Sequence, residues 1–281
     1  MQNARQIGER RLYMDINIFE QFVWFIRERE SIRKKKESGS PPPWTDDPFL
    51  QKYKFTNVWR QDDKTTKYIH SVKRDNWLDE ILWIAWARII NKIETLQELP
   101  APTFLTLDEW SEEIINHSIL YSDAYIVLPR LPKGSIKIHE IIRLLKIIAH
   151  NCEVYVDLTL NTDTPSEEEI KLFIFRNLPR IKGLILYEMM CDWRQYSGEE
   201  ETYCNIGTGA SSTLKLLYPN EKPSVEQIAE ITDILNAEGS VKHETYGYLT
   251  WRCIEGVCCE FRKYLNLKNR NNSRKRKYKY V

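Results

Sequence analysis

No Cys-x-x-Cys pair occurs in this 281-residue sequence, although it holds six cysteines. That absence excludes the usual four-ligand zinc and iron–sulfur patterns. Cys258 and Cys259 are adjacent, which is poor geometry for a shared metal. Buried, reduced core thiols are the expectation for all six. Glycine and proline together number only 22, too few for a collagen-like or low-complexity chain. No apolar run reaches the roughly 18 residues of a membrane-spanning helix. The first 25 residues hold no secretory apolar stretch, so an intracellular protein without a membrane span is expected. The five histidines, His70, His117, His139, His150 and His243, show no ligand spacing, so no protein-held metal is expected.

Net charge is also nearly missing, with 41 Lys and Arg against 40 Asp and Glu. The balance hides two unlike parts. From Arg262 onward there are nine bases and no acid, which leaves 32 bases against 40 acids before it. An acidic body with a basic arm suggests an interaction tail. The tail, residues 268–281, contains Arg274-Lys275-Arg276-Lys277 with interleaved Tyr278 and Tyr280. Contact with nucleic-acid phosphates is the expected role, together with Lys263 just before it. A solubilising tail or a nuclear localisation signal would have the same composition.

What is present is mostly helical patterning. Asp15 can cap a helix that runs to about Lys36. Ser40-Pro-Pro-Pro-Trp-Thr-Asp-Asp-Pro48 reads as a stiff loop. Further helices are expected over 49–54, 62–73, 76–99, from Thr106, over 136–150, 164–177, 184–196, 210–217, 224–237 and 249–267. Ala124–Leu128 is a candidate strand, and Val154–Leu160 alternates as a strand or an irregular helix end, so one short β-hairpin is allowed. The fold class is therefore mostly α. One helical catalytic domain over 1–267 is expected, in two lobes of roughly 12–135 and 136–267.

The connector Leu178-Pro-Arg-Ile-Lys-Gly183 has the spacing of a helix-hairpin-helix, in which backbone N–H groups face a DNA phosphate. Arg180 and Lys182 stand at or near the usual glycines, and Gly183 remains. An ordinary turn between two helices fits the same residues.

Several segments together resemble the alpha-glutamyl/putrescinyl thymine pyrophosphorylase family, the amino acid:DNA transferases. They are Phe25-Ile-Arg-Glu-Arg-Glu-Ser-Ile-Arg33, Pro43-Trp-Thr-Asp-Asp-Pro48 and Tyr53-Lys-Phe-Thr-Asn-Val-Trp-Arg60 with Asp63. Ala124–Val127, Leu178–Ile181, Cys191-Asp-Trp-Arg194, Gly207-Thr-Gly-Ala210 and Cys259–Tyr264 follow in order. The resemblance implies a helical fold similar to helix-hairpin-helix DNA glycosylases. It also implies a transferase that replaces the pyrophosphate of a pyrophosphorylated 5-hydroxymethyluracil in double-stranded DNA with an amine or amino acid.

The residues present suit that chemistry. A pyrophosphate leaving group needs guanidinium groups, and Arg27, Arg33 and Arg60 are candidates. An amine nucleophile needs a carboxylate base, and Asp47, Asp63 and Asp192 are candidates. A flipped base needs stacking and edge readout, for which Trp44, Trp59 and Asn57 stand. Arg194 could hold an amino-acid carboxylate. Gly207 and Gly209, with Arg180, Lys182 and Gly183, are candidate DNA-backbone contacts. Mg²⁺ could accompany the pyrophosphate. A glycosylase excising a modified base, or a DNA-binding module without catalysis, are the alternatives.

Overall fold

The computed structural model describes residues 14–122, 131, 135–160, 162–176, 178, 179, 181, 183–199, 204–239 and 241–269. The candidate strand Ala124–Leu128, Arg180, Lys182 and the tail residues Arg274, Lys275, Arg276 and Lys277 lie outside them. The described residues form helices and no strand, so the fold is mostly α. The allowed β-hairpin is corrected on its second segment. Val154–Leu160 continues the helix α7 (Lys137–Thr159), which Leu160 ends in a left-handed conformation. Among the described residues, no helix is long and apolar enough to cross a membrane.

The chain divides into two compact units, and the cut differs from the expected boundary near 135. One unit is Lys64–Thr202; the other joins Met1–Asp63 to Tyr203–Val281.

The discontinuous unit contains α1 (Ile16–Glu37), α2 (Pro48–Lys52), a 3-10 turn (Arg60–Asp62), α10 (Thr208–Leu217), α11 (Val225–Glu238) and α12 (Trp251–Lys268). Asp15 caps α1 by accepting the Ile18 N–H at 3.1 Å. Phe22 and Phe25 of α1 pack on Phe261 of α12, with centroids 5.3 and 5.5 Å apart. This contact brings the two ends of the sequence into one core. Gly209 sits where α10 crosses α12. A Cβ there would lie 3.1 Å from the Cys259 Cα, so only glycine permits the close approach. Gly209 is thus a packing position.

The continuous unit contains α3 (Lys64–Ser71), α4 (Trp77–Ile90), α5 (Ile93–Glu98), α6 (Leu107–Ile114), α7, α8 (Glu167–Glu169) with a π-helical turn (Ile170–Ile174), and α9 (Leu184–Ser197). The expected helix 76–99 breaks at Asn91, which adopts a left-handed conformation and donates to the Ala87 carbonyl. Helix α4 is apolar around its whole circumference and is buried accordingly, packing on α7 and α9. Its tryptophans are satisfied: Trp83 Nε1 donates to the Ile69 carbonyl and Trp86 Nε1 to Leu99, both at 3.1 Å. Before α9, Leu178 and Ile181 of the connector are buried and Gly183 takes φ +57°.

All six cysteines are described and none is joined in a disulfide; five are buried and Cys259 is exposed.

Candidate functional site

Among the described residues each unit buries a network of charged side chains; Asp192 belongs to one, and Arg33 and Trp59 belong to or border the other.

In the continuous unit the hub is Arg88 of α4, on a helix that is otherwise apolar past its first turn. Its guanidinium grips Asp192 of α9 with two bonds, Nε to Oδ2 and Nη2 to Oδ1, the latter at 2.6 Å. Nη2 also reaches Thr66 Oγ1 at 3.3 Å, and Nη1 lies 3.5 Å from Glu188. Glu188 and Asp192 are one turn apart on α9, as are Thr66 and His70 on α3. His70 Nε2 meets Asp192 Oδ1 at 2.9 Å. Burial alone would push the Asp192 carboxyl up, but Arg88 and His70 outweigh it and hold it below the usual range. Asp192 is sealed at 2 % exposure, whereas the His70 side chain keeps 19 %. The member of this hydrogen-bonded pair that a ligand can reach is His70. A carboxylate that orients an imidazole, which then moves a proton, is what this geometry can supply.

Glu80 of α4 completes the cluster. Burial raises its carboxyl to about 7, despite a hydrogen bond from the Arg74 N–H. Two carboxyls in one cluster are thus pushed in opposite directions. For Glu80 the folded value lies above the unfolded one, so between pH 4.5 and 7 the unfolded chain loses its proton first. Stability therefore falls as pH rises through that window. Glu80→Gln is expected to match wild type near pH 5 and to be more stable at pH 8 by up to about 3 kcal/mol. Urea midpoints at both pH values check this; parallel curves for the two proteins would refute it.

Arg194, the candidate carboxylate partner, is buried and pairs with Glu167 at 2.6 Å.

In the discontinuous unit α1 buries Arg29, Glu30 and Arg33. Arg33 bonds both Glu30 oxygens at 3.0 Å through Nε, pairs with Glu37, and meets Glu244 at 2.7 Å and Asp62 at 3.4 Å. His243 Nδ1 accepts the Thr245 and Tyr246 N–H groups at 3.0 and 3.2 Å. Its proton therefore sits on Nε2, which donates to Asp62 at 3.0 Å. Arg29 holds the Phe55 and Thr56 carbonyls at 2.9 and 3.2 Å.

These contacts define what each candidate can do. Arg33 is committed to four carboxylates. Trp59 is fully buried against His243, with centroids 5.1 Å apart, and has no face open to a base. Asp47 caps α2 through the Phe49 and Leu50 N–H groups and accepts the Tyr264 hydroxyl at 2.8 Å. Arg60 pairs with Asp63 at 2.5 Å, and Asp63 also accepts the Asn57 N–H at 3.4 Å. Trp44 is half-buried, with Lys36 Nζ 4.6 Å above its ring. Gly207 donates to Glu255 at 3.2 Å, and Lys263 reaches the Lys54 carbonyl and Glu260 at 2.5 and 3.0 Å. Arg27 stays exposed, 3.7 Å from Glu238.

Glu30, His243 and Glu244 bring potential metal-ligand atoms within 4.8 Å of one another. They do not fit Mg²⁺. The Arg33 guanidinium already occupies Glu30 and Glu244, and His243 presents an N–H rather than a lone pair at Nε2.

The chemistry implied by the family resemblance singled out Asp192 and Arg33 but not their partners. Arg88 looked like one polar residue in an apolar helix, and His70 and His243 carried no ligand spacing. An arginine within the apolar run Ile81–Ile90 was the available signal, since a buried charge there requires an opposite one.

Comparison with known proteins adds the following. The family model described as 5-hmdU DNA kinase, helical domain, matches residues 16–274 and so spans both units. A 5-hmdU DNA kinase of Bacillus phage SP10 is 24 % identical over 285 aligned positions, covering 87 % of this chain and 44 % of the relative. The chain thus spans less than half the length of the curated relative it matches. No solved structure matches.

Proposed function

The chain belongs to the 5-hmdU DNA kinase helical-domain family, and from that premise we propose that it acts on DNA carrying 5-hydroxymethyluracil, within thymine hypermodification. The observation that carries this reading is the family match across residues 16–274. The family differs from the pyrophosphorylases that the sequence resembles; a modified thymine in DNA is common to the two.

The relative's name raises phosphorylation of the hydroxymethyl group as the reaction. The dipeptide Gly-Lys, which the common phosphate-cradling loop requires, does not occur in this sequence. We therefore assign this chain the base-directed chemistry rather than nucleotide binding. The finer reading is amine transfer. The C–O bond to pyrophosphate breaks at the exocyclic methylene carbon, and a C–N bond forms there. Pyrophosphate leaves with the electron pair, and the amine proton goes to His70. Asp192 orients His70 in this scheme, and the Leu178–Gly183 connector is proposed as a backbone seat for a DNA phosphate.

The test is nucleoside mass spectrometry after incubating the full chain with two substrates. One is 5-hydroxymethyluracil DNA with ATP; the other is DNA with pyrophosphorylated 5-hydroxymethyluracil and an amine pool. Amine-bearing thymidine and free pyrophosphate are the expected products of the second. A phosphorylated base in the first would replace amine transfer by phosphoryl transfer. Free base with abasic sites would show excision, and unchanged DNA in both would overturn the enzymatic reading.

A further inference from the structure

The notable feature outside the two buried networks is a basic pocket of about 320 Å³ in the discontinuous unit. Helix α1 supplies Arg27, Ser31, Lys34 and Lys35, and the segment after α11 supplies Lys242. The four α1 positions fall at i, i+4, i+7 and i+8, one stripe of the helix. Part of this charge is explained locally, because lysines in a last helical turn complement the negative end of the dipole. Arg27, two turns earlier, and Lys242, from another segment, have no such reason to converge here.

The acid in the wall, Glu30, is buried and turned to Arg33, which bonds both its oxygens. At the rim, Glu238 lies 3.7 Å from Arg27 and Glu244 lies 3.2 Å from Lys34. All four of these side chains are about half exposed. Such pairs are worth little and exchange readily for a better anion. Lys242 of the pocket lies over the exposed Tyr248 at 4.7 Å, and Lys36, on the other side of α1, lies over Trp44 at 4.6 Å. Cations interleaved with accessible rings suit a ligand that has phosphates and planar bases.

We propose that this pocket seats phosphoryl groups, with the backbone phosphates of a DNA strand as the ligand. The choice of DNA rests on the proposed function; the anion seat itself does not. A free pyrophosphate has the same chemistry, and two arms separate the sources.

In the first arm, fluorescence anisotropy follows an unmodified labelled DNA duplex binding to the full chain across a salt series. The double variant Lys35→Glu/Lys242→Glu is compared with Lys215→Glu/Lys222→Glu, two exposed changes outside the pocket that alter the overall charge equally. The pocket variant is expected to bind at least 10-fold more weakly than the control, with a salt slope lower by about 2. In the second arm, calorimetry measures inorganic pyrophosphate binding to the same proteins. Loss of pyrophosphate binding with unchanged DNA affinity would keep the phosphoryl seat and make the free anion its ligand. A pocket variant equal to the control in both arms, with an unchanged circular dichroism spectrum, would overturn the proposal. If 5-hydroxymethyluracil DNA proves inert in the nucleoside assay while the first arm gives the expected loss, the functional reading fails and the phosphoryl seat stands.

Discussion

Replacing Arg88 by alanine is expected to destabilise the protein by about 3–5 kcal/mol, a large share of the roughly 5–15 kcal/mol that holds a typical domain folded. Arg88 binds Asp192 with two bonds and reaches Thr66 and Glu188, all in a buried cluster. Removing it takes the guanidinium away from two buried carboxylates, Asp192 and Glu188. The remedy available to the variant is protonation of Asp192, whose carboxyl Arg88 now holds below its ordinary value. The sign of the pH effect follows. In wild type this carboxylate contributes stability above its unfolded pKa and loses it as pH falls through the lowered folded value. The variant has no such contribution, so its deficit is largest near neutrality and shrinks in acid. Urea denaturation at pH 7 and pH 4 measures both. A second variant guards against a trivial result: Arg88→Met with Asp192→Leu removes both charges and fills similar volume. It is expected to recover most of the loss, because isosteric apolar replacement of a buried pair is near neutral or stabilising. A deficit under 1 kcal/mol for Arg88→Ala would show that Arg88 is not the hub of the unit.

How much of this could be read in the sequence depends on the range of the interaction. Local signals worked. Asp15 before a helical pattern marked the start of α1, because a cap is decided within three residues. Local signals also misled where two periods fit. Val154–Leu160 alternates like a strand, yet it continues α7, whose preceding apolar face at Ile141, Leu145, Ile148 and Cys152 had already fixed the helix. Asn91 ended α4 inside an unbroken apolar pattern, since a left-handed cap needs one residue and leaves the periodicity intact. Long-range pairings were invisible. Asp192 was singled out as a base, but Arg88 lies 104 residues away, and nothing in spacing joins them. Trp59 was a candidate for stacking on a flipped base; its burial against His243 depends on a turn far along the chain. The division into units shows the same limit, because the pairing of α1 with α12 rests on phenylalanines at opposite ends of the sequence.

The second large effect concerns His70. His70→Asn is expected to lower the proposed amine-transfer rate by about 10²–10⁴, the range that positioned proton transfer contributes, while urea stability changes by less than about 1 kcal/mol. The expectation follows from an asymmetry in the pair. Asp192 is closed off by Arg88 and its own helix, so it has no path to a substrate proton. His70 is partly exposed and on a different helix, with Nε2 spent on Asp192. Among the described residues its Nδ1 has no hydrogen-bond partner, which leaves that atom to accept a proton. A structural role for His70 would give a different signature. Loss of a packing residue lowers stability and activity together and leaves the shape of the pH–rate profile unchanged. Loss of the proton acceptor removes the acidic limb of that profile and is partly rescued by added imidazole. The informative comparison is therefore the pH dependence of kcat/KM for His70→Asn with and without imidazole, beside Asp192→Asn. Asp192→Asn should retain the imidazole but lose its orientation, giving an intermediate rate with the acidic limb still present. A full-rate His70→Asn enzyme would remove His70 from the chemistry. A slow one whose profile keeps its acidic limb, unmoved by imidazole, would return His70 to a purely structural place in the unit.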